Sequence, residues 1–580
     1  RNTMKRRHFV RSAIAAGLSP AALPSSSVEK ILQPKTPKNK ASVRKPRIFF
    51  FHDSRHPLMY MYEPPIQKEE VESAVDELVE TSVDALMFCL GDGRTIFHNS
   101  KVGEIFGHNV QKWPHMVFQR AHQNTVSLLD SGIDQLRLIC QRAHQKDMLI
   151  YPALLVNQGR RGPREQDVRS SNFRFDNEHL EIGAQGDLES NFPGLTCLDF
   201  KHQKVRKERF DLILEVIKNY PIDGFELTLS YQSPSPHFFH PKEVSTGRSI
   251  MTSWIKQIYE SLKQSGRNRE LAIRIPGNLK TCFDLGLDVN EWIRLGIVDL
   301  LIPETYGVYW GRVDHSADYR PLVRAAKGTQ TRIAGVLNSM IDSDRLSNAS
   351  IEIIRGAACN YWEQGIDGIY LNQWFQGSNW PYRSNFYEQL REISHPDIMA
   401  PKDKIYLVPT AGNYKSPPWE PPMLLPQKLE VKKPIRFNLP ISDDLSHWEE
   451  VKRLHKILLR FRIMNTNQVD QITFRLNEKN LPTSSLRKIN QIYRMSVPNN
   501  SGFGFGYWFI YELDKNFWPK KGKNWIEIIL DYRDPQVIPA ITLHDIEMEI
   551  RYLKGKNFHR NEDPDLGPSL NLRDITINRS

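Results

Sequence analysis

Ile222-Asp223-Gly224-Phe225-Glu226-Leu227 is a short apolar run opened by an aliphatic residue and an aspartate, and that opening recurs three more times. Val83-Asp84-Ala85-Leu86-Met87-Phe88, Val298-Asp299-Leu300-Leu301-Ile302 and Ile366-Asp367-Gly368-Ile369-Tyr370-Leu371 share it, each after an amphipathic stretch that ends in a turn. A near-continuous apolar strand following a helix marks a parallel sheet covered on its outer face. Four further runs alternate with these, at residues 47–52, 148–156, 271–276 and 332–337. Eight strands with room for a helix after each, over about 350 residues, predict an α/β fold of enlarged (β/α)8 (TIM) barrel type. An open doubly wound sheet would carry a Gly-rich phosphate turn after its first strand, where this chain has Phe51-His52-Asp53-Ser54-Arg55.

Working outward, the loops after strands 2 and 3 (residues 91–113 and 157–198) are long, and a barrel builds its substrate groove from such loops at the C-terminal rim. Beyond Ser394 the texture changes. Residues 399–440 are Pro-rich, with Pro417-Pro418 and Pro421-Pro422, and read as an extended connector. Stretches 458–464, 471–476, 507–511, 525–530 and 546–552 then alternate or run apolar between turn signals, predicting a C-terminal all-β, jelly-roll-like sandwich. The expected layout is a signal at 1–24, a linker at 25–45, the barrel at 46–398, the connector at 399–440, the sandwich at 441–560 and a polar tail at 561–580.

A chain of 580 residues is too long for one core, which agrees with that division. The formal charge of +11 points at first toward nucleic acid. Its location removes that partner: residues 1–45 hold eleven Lys or Arg against Glu29 alone, so +10 of the +11 lies there. Met4-Lys5-Arg6-Arg7-His8-Phe9-Val10-Arg11, then the Ala-rich run 12–22, resembles a twin-arginine export signal and implies a periplasmic or secreted protein. No stretch of about 18 apolar residues occurs, so no membrane-spanning helix is expected. The five cysteines, Cys89, Cys140, Cys197, Cys282 and Cys359, are odd in number and widely spread, which suits buried free thiols.

Chemistry is expected at the C-terminal ends of the strands. Side chains alternate, so Glu226 shares a face with Gly224 and Thr228 near the exit of strand 4, while Asp223 sits at its start and reads as structural. Strand 6, Leu300-Leu301-Ile302-Pro303-Glu304-Thr305-Tyr306, also ends on an acid. Alternate strands lie roughly 10 Å apart at Cα, and two Glu side chains close that gap to the carboxyl separations of glycosidases. One carboxyl would attack or activate water, and the other would protonate the leaving oxygen.

The stretch Leu198-Asp199-Phe200, Val205-Arg206 and Tyr220-Pro221-Ile222-Asp223-Gly224-Phe225-Glu226 resembles a signature of glycosyl-hydrolase-like barrels related to family 10. Those barrels show an acid before the helix, a Val-Arg at the helix start and a Tyr-x-x-Asp-Gly strand; Pro303 to Tyr306 resembles their strand-6 segment. The resemblance covers most of residues 46–394. It departs at Thr228, where those families tend to have an acid. By analogy with barrels using strands 4 and 6, it implies Glu226 as nucleophile or base and Glu304 as acid, with Asp199 in the substrate region.

Other rim groups suit a sugar. Tyr306, Tyr309, Trp310, Trp374 and Phe375 could stack on pyranose rings, and Asn372 and Gln373 could bond hydroxyls. His52 and Asp53 end strand 1, and Asp92 ends strand 2, where it could equally hold a tight turn. Arg169 and Arg274 could pair with an anionic sugar or form buried structural ion pairs. His98, His108, His115 and His122 lack the i, i+4 pair with a nearby acid of a zinc hydrolase helix, so no metal and no cofactor are expected. The leading function is an exported glycoside hydrolase with a carbohydrate substrate. A polysaccharide lyase using Tyr306 or a His, and a barrel that binds carbohydrate without turnover, are the alternatives.

Overall fold

The computed structural model describes residues 45–160, 162–230, 237–304, 311–341, 343, 345–346, 348–372, 374, 384–411, 423–490 and 506–555. The chain divides into two units, Arg1–Lys45 and Pro46–Ser580. The expected signal, most of the linker and the polar tail lie outside the described residues.

Eight parallel strands close into a barrel: β1 (Ile48–His52), β2 (Ala85–Cys89), β3 (Leu149–Leu155), β4 (Gly224–Thr228), β5 (Glu270–Pro276), β6 (Leu300–Glu304), β7 (Arg332–Leu337) and β8 (Gly368–Leu371). Each pairs with its sequence neighbours, and β8 pairs back onto β1 with Phe49 opposite Tyr370.

The repeated aspartate has a specific job. Asp84 accepts from the backbone N–H groups of Arg47 and Ile48 at 2.7 and 3.0 Å. Asp223 accepts from Ile150 N–H at 2.9 Å, Asp299 from Leu271 at 2.8 Å and Asp367 from Ile333 at 2.8 Å. Each aspartate at the start of an even strand thus takes a donor from the start of the odd strand before it. The same aspartates donate their own N–H back to Ile48, Ile150, Leu271 and Ile333, which fixes the register of each pair at two points. Two of the four are followed by glycine for want of room. A Cβ on Gly224 would lie 2.1 Å from the Tyr151 ring, and one on Gly368 would lie 2.5 Å from the Arg47 carbonyl.

Inside the barrel, Phe49, Phe51, Met87, Ala153, Leu300, Ile302, Ala334 and Val336 form an apolar plug. Below it, Tyr151 donates to Glu270 at 2.9 Å, and Arg332 bonds Glu270 and the Pro46 carbonyl at 2.5 and 2.6 Å. A second polar layer lies above the plug, at the opposite end.

The C-terminal region forms two antiparallel sheets. One contains β9 (Lys404–Leu407), β11 (Leu454–Met464), β13 (Leu486–Asn490), β14 (Tyr507–Glu512) and β16 (Thr542–Tyr552); the other is built on β10 (Ile435–Ile441), β12 (Gln471–Leu476) and β15 (Gly522–Tyr532). Phe437, Leu439, Leu459, Phe461, Phe474, Ile528 and Met548 fill the space between them. The stretch read as an extended connector corrects that reading, since it supplies β9 and β10. Residues 435–441 alternate toward the core, and Pro440 is tolerated because β10 is an edge strand that, among the described residues, pairs with β15 alone. The sandwich is fastened to the barrel helix Ile351–Trp362, where Asn360 donates to the Pro440 carbonyl at 2.8 Å. Among the described residues no helix is long and apolar enough to cross a membrane. All five cysteines are free and buried.

Candidate active site

The upper polar layer grows from strand alternation. On β4 the inward positions are Gly224, Glu226 and Thr228; on β5 they are Ala272, Arg274 and Pro276; β6 ends inward on Glu304; and β8 presents Tyr370 and then Asn372. These side chains converge on the Arg274 guanidinium. Its Nε donates to Glu226 Oε1 at 3.0 Å, and its Nη1 lies 3.3 Å from both Glu304 Oε1 and Asn372 Oδ1. Nη2 bonds the Tyr370 hydroxyl, which donates onward to Glu226 Oε2 at 2.9 Å. Thr228 donates to Glu226 Oε1 at 2.7 Å. The guanidinium carbon sits 4.3 Å from the Phe51 ring centre and 4.7 Å from that of Tyr370, so an aromatic bed holds it flat.

Both Arg274 and Glu226 are 0% exposed. Two carboxylates and one guanidinium, closed off from water, leave an excess negative charge that a proton relieves. That proton falls to Glu304. Burial pushes its carboxyl up to about 7, against the pull of Arg274 and of Ser230, and the Glu226 charge adds to the rise. Glu304 Oε1 is held by Arg274 and by Asn372 Nδ2 at 3.3 Å. Glu304 Oε2 has no well-formed hydrogen bond among the described residues. Asn372 is itself fixed by Asn338, whose Oδ1 accepts at 2.9 Å and whose amide donates to the Arg312 carbonyl. Tyr370 is held far above the ordinary phenol range by burial, with Arg274 opposing and the Glu226 charge reinforcing.

Of the residues singled out from sequence, Glu226, Glu304, Arg274 and Asn372 therefore share one network. Arg274 is the buried ion-pair partner of the two glutamates, not a free cation facing a sugar. A second group sits over β1 and β2. Asp92 Oδ2 accepts from Arg55 Nη1 at 2.6 Å and Arg169 Nε at 2.7 Å, and Asp53 accepts from Arg55 Nε at 3.0 Å. Burial opposes ionisation of Asp92, but Arg169 and Arg55 outweigh it and hold its carboxyl below the usual range. His52 accepts from Ser54 N–H at its Nδ1, which leaves the ring proton on Nε2, and its ring stacks on Phe88 at 5.3 Å. Burial, opposed by Asp53, pushes it down to about 4, so it is neutral at physiological pH.

Two residues fall elsewhere. Asp199 caps the turn before the helix Gln203–Asn219, accepting from Lys201 N–H at 2.9 Å. Trp374 is 3% exposed, donates to the Leu337 carbonyl at 2.8 Å and packs on Phe386, so its face is covered rather than offered to a sugar. Tyr306, Tyr309, Trp310, Gln373 and Phe375 lie outside the described residues. Sequence reasoning missed Tyr370, Asn338 and Thr228 as parts of the network. Period-2 alternation counted back from Asn372 selects Tyr370, two residues earlier on the same face. Among the described residues no three His, Cys, Asp or Glu side chains cluster as a metal site.

No protein-family model matches the chain, and no curated protein matches it. Solved structures similar to it include a cycloisomaltooligosaccharide glucanotransferase from Paenibacillus sp., at 12% identity and a TM-score of 0.33 over 86% of this chain and 57% of that one. An α-L-fucosidase from Paenibacillus thiaminolyticus follows at 10% and 0.37, over 61% of this chain and 49% of that one. An α-amylase from Lactobacillus plantarum stands at 11% and 0.36, over 81% and 99%. The chain thus spans about half the length of the first two. At such identities and TM-scores the likeness adds nothing to the barrel already traced strand by strand.

Proposed function

We propose that this chain is an exported glycoside hydrolase that cleaves a complex polysaccharide or oligosaccharide with Glu226 and Glu304. The observation that carries the reading is the pairing of two strand-end carboxyls on one buried guanidinium, one of them pushed up to about 7. Both carboxyls lie within hydrogen-bond reach of that guanidinium, at 3.0 and 3.3 Å, which brings them together on one side of the barrel mouth as a glycosidase pair requires.

Glu304 is the general acid. A carboxyl that keeps its proton near neutrality is suited to protonate a leaving glycosidic oxygen. Glu226 supplies the opposing carboxylate, as nucleophile or as base toward water. Both its oxygens accept hydrogen bonds in the closed network, so either role requires Thr228 or Tyr370 to yield its bond. His52 Nε2–H, Asn372 and the Asp92–Arg55–Arg169 group are the proposed sugar contacts. The Tyr220-to-Glu226 segment supports kinship with the barrels related to family 10, and residues 1–24 support export by the twin-arginine route. Incubation with neutral and sulfated polysaccharides tests the reading. New reducing ends without ultraviolet-absorbing unsaturated ends are expected; unsaturated ends would make the protein a lyase, and binding without cleavage would make it a lectin-like barrel.

A further inference from the structure

Away from the carboxylate network, the loops after β2 and β3 bury three arginines against the helix Gln203–Asn219. Arg94, Arg174 and Arg209 are 2%, 1% and 1% exposed. Arg94 and Arg209 share a single carboxylate, Glu208. Arg174 pairs with Glu181 at 2.9 Å, which Arg160 also approaches at 3.7 Å. The Arg94 guanidinium lies 5.7 Å from the ring centre of Phe173, the residue next to Arg174, and the Arg174 and Arg209 charges both act on that guanidinium. Among the described residues no second carboxylate pairs with Arg94 or Arg209.

The hydrogen bonding is short in the same direction. Arg94 Nε and Nη1, Arg174 Nε and Arg209 Nη1 are buried donors with no acceptor among the described residues. Surplus donors and surplus positive charge in one enclosed place are the complement of an anion. The mutual repulsion registers in Arg94, which is pushed down to about 9 by burial first, then by Arg209 and Arg174, with Glu208 opposing. Water could meet the donors but would leave the charge.

We propose that Arg94, Arg174 and Arg209 enclose a binding site for a small inorganic anion of halide size. Among the described residues the three guanidinium-bearing side chains are 1–2% exposed, which suits a monoatomic ion better than an organic acid or a sugar. Bound there, the ion ties the loop after β2 and the loop after β3 to the helix behind them, and so orders one side of the rim. The proposal is independent of the reaction assigned to Glu226 and Glu304.

The test is thermal unfolding of the full chain at constant ionic strength, with gluconate replaced stepwise by bromide or chloride, alongside anomalous diffraction from bromide-grown crystals. A saturable rise of about 1–3 °C is expected. It should vanish in Arg94→Gln, with an anomalous peak enclosed by the three arginines. If Arg94→Gln does not fold, the peak in the parent protein decides. An empty map at the three arginines, or a rise that grows linearly and is larger for sulfate than for bromide, would overturn the proposal.

Discussion

Glu226 and Glu304 are held by adjacent nitrogens of one guanidinium, Nε and Nη1 of Arg274, at 3.0 and 3.3 Å. The arrangement makes the two acids unequal. Glu226 is closed in by Arg274, Thr228 and Tyr370, whereas Glu304 shares Arg274 and Asn372 at longer range, 3.3 Å each.

Stability should depend on pH through Glu304. Its carboxyl titrates near 7 in the fold against an ordinary 4.5, so over that interval the folded protein keeps a proton that the unfolded chain has lost. Its contribution to stability is present below about 4.5 and is lost as pH rises through about 7, a change on the order of 3 kcal/mol. Glu304→Gln should remove that slope, as read by urea denaturation at pH 5 and pH 8. An unchanged slope would remove Glu304 from this role.

Arg274→Met takes away the only cation bonded to both glutamates among the described residues. Two buried carboxylates then face each other, and a loss of about 3–5 kcal/mol at pH 7 is expected. The loss should shrink at pH 5, where the pair takes up protons. Denaturation at the two pH values checks the direction.

Tyr370→Phe removes the donor to Glu226 Oε2 and leaves that oxygen buried and unpaired, at a cost of about 1–3 kcal/mol. Turnover should fall as well, because the carboxylate is no longer aimed. A variant of full stability would show that water had taken the place of the hydroxyl.

Asp299→Ala and Asp367→Ala should each cost about 1–2 kcal/mol, since each leaves a strand-start N–H without its acceptor. Specific activity per folded molecule should stay unchanged, because these groups sit at the end of the barrel opposite the glutamates. Equilibrium unfolding and kinetics on the same samples separate the two effects.

Export is tested apart from catalysis. Replacing Arg6 and Arg7 by Lys should abolish periplasmic accumulation of a fusion carrying residues 1–45, as fractionation would show. Export that persists with Lys-Lys would remove the twin-arginine route.

The barrel was legible because its signal is local: an aliphatic residue, an Asp and an apolar run, repeated four times. The structure supplies the reason for the Asp, which clips each odd strand to the even strand after it. Period-2 alternation also placed Glu226 on the inner face near its strand's exit, while Glu304 was picked out by its strand-end position and Asn372 only as a polar neighbour of Trp374. It could not say who meets whom across the barrel, so Arg274 had two readings and Tyr370 was given no role. Trp374 lies past the end of β8, where alternation stops governing direction, and it turns into the packing beneath the helix Ser384–Glu392. The Pro-rich composition around them hid β9 and β10, and β10 holds Pro440 itself, because an edge strand admits a proline that a central strand would not.

Glu226→Gln and Glu304→Gln, assayed separately for release of reducing ends on the polysaccharide that the parent cleaves, test the central claim most directly. Each is expected to lower kcat by about 10²–10⁴-fold, and the basic limb near pH 7 should be absent from residual Glu304→Gln turnover. Parent-like turnover in both variants would contradict the carboxylate pair.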